Sequence, residues 1–309
     1  MGSLSAGAGE LAKPRTEALA DTIARSMAEV ENVDRRTVHD FGAEWSFFDQ
    51  SRLSDSELEL QFEGYFGIFP WSRLPPDAVG FDAGCGSGRW ATRVAPRVGW
   101  LHCIDASPVA AQVAARNLSG QANCSVEVAS IDSLPFQDGS MDFGYSLGVL
   151  HHMPDTEAGL RSCAVKLKPG APFLLYLYYA LDHRPPWFRG MWRLAEATRR
   201  VICRLPFELK VVVTSVIAAS AYFPLARIAL LAERAGINVE HFPLSTYRKR
   251  SFYSMRTDAL DRFGTRLERR FRREEIEAMM QRAGLRDIEF SDHAPYWCAL
   301  GWRRRVDHG

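Results

Sequence analysis

The sequence predicts an α/β fold, a doubly wound parallel sheet with a helical insertion, and three observations predict it. An apolar run over residues 78–81 reaches Asp82, then glycines fall at 84, 86 and 88 before a helix-compatible segment, which spells strand, tight turn and helix start. Strand-like and helix-like segments alternate from there to about residue 180, and such alternation builds a parallel sheet with ligands at the carboxyl ends of its strands. Residues 181–271 then separate the fifth strand from the last helix. That stretch is too long for a loop in a compact domain, so it should hold structure of its own.

The bulk properties fit a globular protein. Of 309 residues 47% are hydrophobic, enough for a full core. A net charge of +1 gives no reason to expect nucleic acid or an acidic partner. Six scattered cysteines (Cys85, Cys103, Cys124, Cys163, Cys203, Cys298) lack a C-x-x-C pair, so they read as reduced thiols of a cytoplasmic protein, and no zinc site is supported. The first residues carry no charged-then-apolar signal pattern, and no internal repeat or low-complexity tract interrupts the chain.

Taken in order, residues 1–10 are rich in Gly, Ser and Ala, and Leu19, Ile23 and Met27 suggest an amphipathic helix over 15–36. An aromatic cluster follows: Phe41, Trp45, Phe47, Phe48, Phe62, Tyr65, Phe66, Phe69 and Trp71. After the Gly loop, residues 100–104 make a second strand ending at Asp105. Ala106, Ser107 and Pro108 then open a helix. An acidic residue there, roughly 20 positions beyond the glycines, is placed to accept both hydroxyls of a ribose. Asp105 could instead cap the next helix, but Ser107 competes for that task. Residues 124–129 read as a third strand, with Ile131, Asp132 and Ser133 in the turn behind it. Residues 141–148 are the fourth strand, ending at Leu147 and Gly148, and 171–179 the fifth. A last helix over 273–283 is stopped by Gly284, and two strands (285–291 and 296–302) close the chain.

The glycine spacing discriminates between ligands. With Gly84 and Gly86 as the first pair, a dinucleotide fingerprint needs a third Gly at 89, where Arg89 stands, and the absence of a Lys-Ser/Thr pair excludes a P-loop. Asp82-x-Gly84-x-Gly86-x-Gly88, Asp105, the Asp132 turn, "DFGYSLGVLHHMPD" and "LKPGAPFLLYLYY" together resemble class I S-adenosylmethionine (SAM) dependent methyltransferases of the small-molecule, type 11 (UbiE-like) group. That resemblance covers residues 79–179 and, more loosely, the final helix and strands. It implies a Rossmann-like sheet of seven strands with the last antiparallel. It also implies SAM as cofactor, S-adenosylhomocysteine as product, and a cofactor site made of Asp82, Gly84, Cys85, Gly86, Gly88, Asp105, Ala106, Ile131, Asp132, Ser133 and Leu147. The organisation expected is an N-terminal helical lid (1–72), a SAM-binding core (73–180), a helical cap holding the substrate region (181–271) and the end of the core sheet (272–309). The N-terminal aromatics either fold over the cofactor or simply pack on the core.

Methyl transfer from a sulfonium is an in-line displacement that needs orientation and a dry site, with a base only when the nucleophile arrives protonated. His151 and His152 follow the fourth strand and are the base candidates, with a helix-start role as the alternative. Tyr247, Arg248, Arg250 and Tyr253 suit a substrate mouth for an anionic group on a partly apolar molecule, or else form a solvated basic face. Residues 211–223 form an apolar run, short for a membrane span, flanked by Lys210 and broken by Pro224 and Arg227, which reads as a buried helix or a dimer surface rather than a lipophilic wall. The expected function is methylation of a small, anionic or amphipathic molecule at oxygen, without nucleic acid or a transmembrane span and with a homodimer through the cap as an option. The rivals are a lipid or quinone methyltransferase at a membrane surface and a non-catalytic SAM-fold binding subunit.

Overall fold

A computed structural model describes residues 32–181, 185–239 and 242–304. The helix expected around Leu19, Ile23 and Met27 therefore lies outside the described residues, except for its last positions. Seven strands form one sheet: β1 (Val79–Ala83), β2 (Trp100–Asp105), β3 (Cys124–Val128), β4 (Phe143–Leu147), β5 (Pro172–Tyr176), β6 (Leu285–Phe290) and β7 (Cys298–Arg303). Their order is β3-β2-β1-β4-β5-β7-β6. Strands β1 to β5 are mutually parallel, and β7 runs antiparallel to both of its neighbours, as expected. The chain winds from β1 outward to β3, then returns to β4 on the other side of β1. The carboxyl ends of β1 and β4 thus diverge, and a crevice opens between them.

Packing fixes that central register. Gly80 pairs with Phe143 and Phe81 with Gly144. A Cβ on Gly80 would come within 2.2 Å of the Phe143 ring, and one on Gly144 within 2.5 Å of the Phe81 ring. Each ring thus occupies the space its partner's missing side chain leaves.

Helices α1 (Arg35–Phe47) and α2 (Asp55–Phe66) precede the sheet. Asp34 caps α1 by accepting from Thr37 N (2.7 Å), and Ser54 caps α2 by accepting from Glu57 N (3.2 Å). The aromatic cluster splits between its two expected tasks. Phe62, Phe66 and Phe69 join a core with Trp90, Phe143 and Tyr145, while Phe41 and Trp45 on α1 face the crevice. The helix after the Gly loop is shorter than the sequence suggests: α3 (Ala91–Val94) is one turn, passing into a 3₁₀ turn that contains Pro96. It is too short for its dipole to carry an anion site. Helices α4 (Pro108–Asn117) and α5 (Thr156–Lys166) flank the sheet and are capped by Ser107 and Asp155.

The insertion is helical: α6 (Pro186–Ile202), α7 (Phe207–Ile217), α8 (Phe223–Arg234) and α9 (Phe252–Gly264), followed by α10 (Arg273–Arg282) of the core. A π-turn (Ala218–Tyr222) joins α7 to α8 without a break. Pro224 follows it after Phe223, and the π-turn absorbs the lost N–H and the ring clash that would break a plain α-helix. Reading Pro224 as a stop is therefore corrected: the helix is continuous over Phe207–Arg234. Among the described residues it is one helix long and apolar enough to cross a membrane by length and composition. The expectation of a buried helix is also corrected. Val211, Thr214, Ala218 and Tyr222 face inward, whereas Val212, Val216 and Phe223 are exposed.

Candidate functional site

The site begins with the Gly loop. Gly84, Gly86 and Gly88 have φ of +85°, +55° and +74°, the left-handed region that favours glycine. Gly86 is further constrained from outside, because a Cβ there would lie 2.8 Å from the indole Nε1 of Trp45. Asp105, at the end of β2, holds the loop. Its Oδ2 accepts from Gly86 N–H at 2.9 Å and its Oδ1 from Ser107 N–H at 2.8 Å. Ser107 supplies the cap of α4, which frees Asp105 for the crevice. Burial pushes the Asp105 carboxyl up, and the two backbone N–H groups from Ser107 and Gly86 oppose that shift.

The crevice is a cleft of about 920 Å³, open mouth included. It unites Gly84, Cys85, Gly86, Asp105, Ala106, Ile131, Leu147 and His152 of the expected site. Asn32, Val33, Asp34, Thr37, Val38, Phe41 and Trp45 close it from the N-terminal side, so the segment entering α1 and α1 itself lid the cleft. Four expected cofactor residues are not in its wall. Asp82 is 1% exposed beneath the loop, and burial raises its carboxyl from 3.8 to about 8, with the Tyr145 phenol opposing. Gly88 faces Ala114 of α4 and Leu118 just beyond its end, where it serves packing. Ser133 is exposed on the outer side of its turn. Asp132 stands beside the cleft: its Oδ1 accepts from the Asn32 amide at 3.3 Å, and its Oδ2 is buried without a partner among the described residues. Burial raises its pKa, the Asn32 hydrogen bond lowers it, and Asp155 raises it.

The two histidines differ. His151 is fully buried outside the cleft wall, with its ring centroid 4.0 Å from that of Tyr178, and neither ring nitrogen has a hydrogen-bond partner among the described residues. Burial holds its pKa well below the ordinary range, helped by His152 and Arg270, so the ring is neutral. His152 lines the cleft against Phe41, ring centroids 4.9 Å apart. Its Nδ1 lies 2.6 Å from Leu267 O. A carbonyl only accepts, so Nδ1 carries a proton, and Nε2 is buried without a partner among the described residues.

Behind His152 lies a polar cluster that sequence reading missed. The Tyr178 hydroxyl donates to Asp261 of α9. Burial pushes Asp261 up while His152 and the Tyr178 bond lower it. Glu44 on α1 is buried with Oε1 unpartnered, and burial, then the charges of Asp261 and Asp258, push its pKa well up. The spacing of Thr37, Phe41, Glu44 and Trp45 puts them on one helix face, and that signal would have found Glu44. No spacing points to Asp261, which the cap delivers from far along the chain.

The residues expected at a substrate mouth are elsewhere, and their polar groups are engaged within the fold. Arg248 donates to Glu233 at 2.7 and 2.9 Å, and Arg250 donates to Asp258 at 2.9 Å while lying over the Tyr247 ring. The Tyr253 hydroxyl accepts from Gln50 N–H at 3.0 Å. None of the four lines the cleft.

Comparison with known proteins bears on this geometry. The methyltransferase domain family matches residues 81–175. That segment is a class I SAM-dependent methyltransferase domain. A ubiquinone biosynthesis O-methyltransferase from Xanthomonas campestris is 33% identical over 102 residues, 32% of this chain and 43% of that protein. Phosphoethanolamine N-methyltransferase 2 of Caenorhabditis elegans is 32% identical over 106 residues, 33% of this chain and 24% of that protein. The chain thus spans less than half the length of these curated relatives. Among solved structures, a possible histamine N-methyltransferase from Thermotoga maritima covers 87% of this chain and all of its own at 13% identity, with a TM-score of 0.49.

SAM is the cofactor of such a domain, and the residues present fit it. Asp105 retains lone pairs beyond those its two N–H donors use, and a ribose diol needs such acceptors. Asp132 Oδ2 is a buried acceptor lacking a donor among the described residues. Arg89, which sequence reading used only to exclude a dinucleotide, stands in the cleft wall 4.2 Å from the Trp90 ring centroid, a cation suited to a carboxylate.

Proposed function

We propose that this protein transfers a methyl group from SAM to an oxygen of a small-molecule acceptor, with His152 as the base. The observation that carries the proposal is the His152 geometry: Nδ1–H is committed to Leu267 O, leaving Nε2 buried in the cleft wall without a partner among the described residues. When bound, the cofactor supplies a methyl on a sulfonium leaving group. The chain's own residues hold and shield. Asp105 takes the ribose hydroxyls, Asp132 the adenine amine with Ile131 and Leu147 beside the ring, and Arg89 the amino-acid carboxylate. The left-handed turn at Gly84 and Gly86 lets main chain approach the ligand, with Cys85 between them, and Ala106 follows Asp105 along the wall. Phe41 and Trp45 exclude water from above. His152 Nε2 accepts the acceptor's hydroxyl proton. His151, its ring centroid 3.9 Å from that of His152, positions His152. The name of the Xanthomonas relative supports oxygen as the methylated atom. A second reading, a lipid or quinone acceptor met at a membrane surface, is favoured by the exposed apolar residues of the cap.

The test is incubation with methyl-labelled SAM and cell extract, with products split into aqueous, lipid, RNA and protein pools. Label should enter the aqueous or lipid pool. His152→Ala should cut that labelling rate by about a hundredfold or more while SAM affinity stays within about threefold. Label confined to RNA or protein would refute the small-molecule reading, and an unchanged rate would refute the base. SAM binding without any labelled product would make the protein a non-catalytic subunit.

A further inference from the structure

The cap turns apolar residues outward. On α7 and α8, Lys210, Val211 and Thr214 point in, while Leu209, Val212, Val216, Phe223 and Leu231 point out. Val212 is 59% exposed, Val216 60% and Leu231 62%. Helix α6 repeats the pattern: Arg199 and Ile202 are buried, whereas Trp187, Met191, Leu194 and Val201 follow helical spacing on the outer side, Leu194 at 70% exposure. A soluble surface helix shows the reverse arrangement, and apolar area of this kind marks an interaction face.

Charge selects the partner. Residues 186–239 hold eight Lys or Arg and three Glu, in a chain whose net charge is only +1. Arg189, Arg193 and Arg204 of this region are exposed. A second copy would set two such basic faces against each other, whereas an anionic lipid surface complements both the Arg side chains and the apolar stripe. The long helix is also tied to the rest of the fold. Its inner side holds the Lys210–Asp40 ion pair at 2.7 Å, and Arg227 donates to the Arg248 and Arg250 carbonyls at 2.9 and 3.2 Å, so it stays fastened to the fold.

We propose that the outer face of α6 and α7–α8 docks on an anionic bilayer, with its apolar side chains in the acyl boundary and its arginines at the phosphates. The docking does not depend on methyl transfer and is read without it. The full chain is floated on density gradients with phosphatidylcholine vesicles, with or without phosphatidylglycerol, at low and high salt. Sedimentation without lipid reports the oligomeric state. The protein should float with the phosphatidylglycerol vesicles at low salt. Its lipid affinity should fall by about tenfold or more with pure phosphatidylcholine, at high salt, or in the V212E/V216E double variant. Circular dichroism and the melting shift with SAM show that the variant is folded. Charge reversal at two exposed sites (R193E/R204E) should remove the salt dependence even if the first variant fails to fold. Absence of flotation, equal flotation with neutral vesicles, or a stable dimer that V216E dissolves would each overturn the proposal.

Discussion

Replacing Asp105 by Asn tests the cofactor site at the group that joins loop and ligand. The native carboxylate accepts Gly86 N–H on one oxygen and Ser107 N–H on the other, at 2.9 and 2.8 Å. An amide offers one acceptor oxygen, and its NH₂ must face one of those N–H donors. The variant therefore loses the charge that strengthens bonds to the ribose hydroxyls and sets a donor against a donor beneath the loop. A hydrogen bond to a charged group contributes about 1.5–3 kcal/mol, so loss near 3 kcal/mol is expected, roughly a hundredfold in affinity. Isothermal titration with SAM and with S-adenosylhomocysteine measures it, with the melting temperature as control. Burial raises the Asp105 pKa and the ligand prefers the carboxylate, so native affinity should be lost as pH falls through that raised pKa. In the variant this pH dependence should vanish. Native-like affinity in Asp105→Asn, within about threefold, would refute the placement of Asp105 at the ribose.

Asp82 and Gly86 give two further expectations. The folded chain holds the Asp82 proton up to about pH 8, whereas the unfolded chain releases it near its ordinary 3.8. Stability is thus fully present below the lower value and falls as pH rises through the window, by at most about 4 kcal/mol near neutrality. Urea melts across this range should show that slope in the native protein and a flatter one in Asp82→Asn; parallel slopes would contradict the buried protonated carboxyl. Gly86→Ala should weaken SAM binding, because φ of +55° disfavours a side chain and its Cβ would meet the Trp45 indole. Adding Trp45→Ala should restore part of the affinity if the contact matters. No restoration would assign the whole loss to the backbone.

Much of the core was legible because its residues act through local chemistry. The glycine spacing and the acidic residue ending β2 need only their neighbours to be read, and Ser107 did take the cap that would otherwise have claimed Asp105. The cap was less legible. Residues 211–223 are an almost uninterrupted apolar run, so no periodicity says which side packs, and α6 and α9 decide it. The Tyr247–Tyr253 stretch looked available because Glu233 and Asp258, its partners, come from other turns of the cap. The His151–His152 pair is symmetric in sequence. Leu267, 115 residues from His152, breaks the symmetry by accepting from one ring's Nδ1.

The Asn32 side chain amide meets both the backbone of Asp155 and the carboxylate of Asp132. Seven residues of the cleft wall come from the same entry to α1 and from α1 itself. Occupancy and helix docking are therefore linked by mass action: a ligand that binds only the docked form holds the helix in place by RT ln(1 + [L]/Kd). Protease cleavage within residues 32–47 becomes a gauge of occupancy, slowing in proportion as the cleft fills. A substitution on the outer side of α1 that loosens its docking would weaken the ligand by the same free energy without touching it.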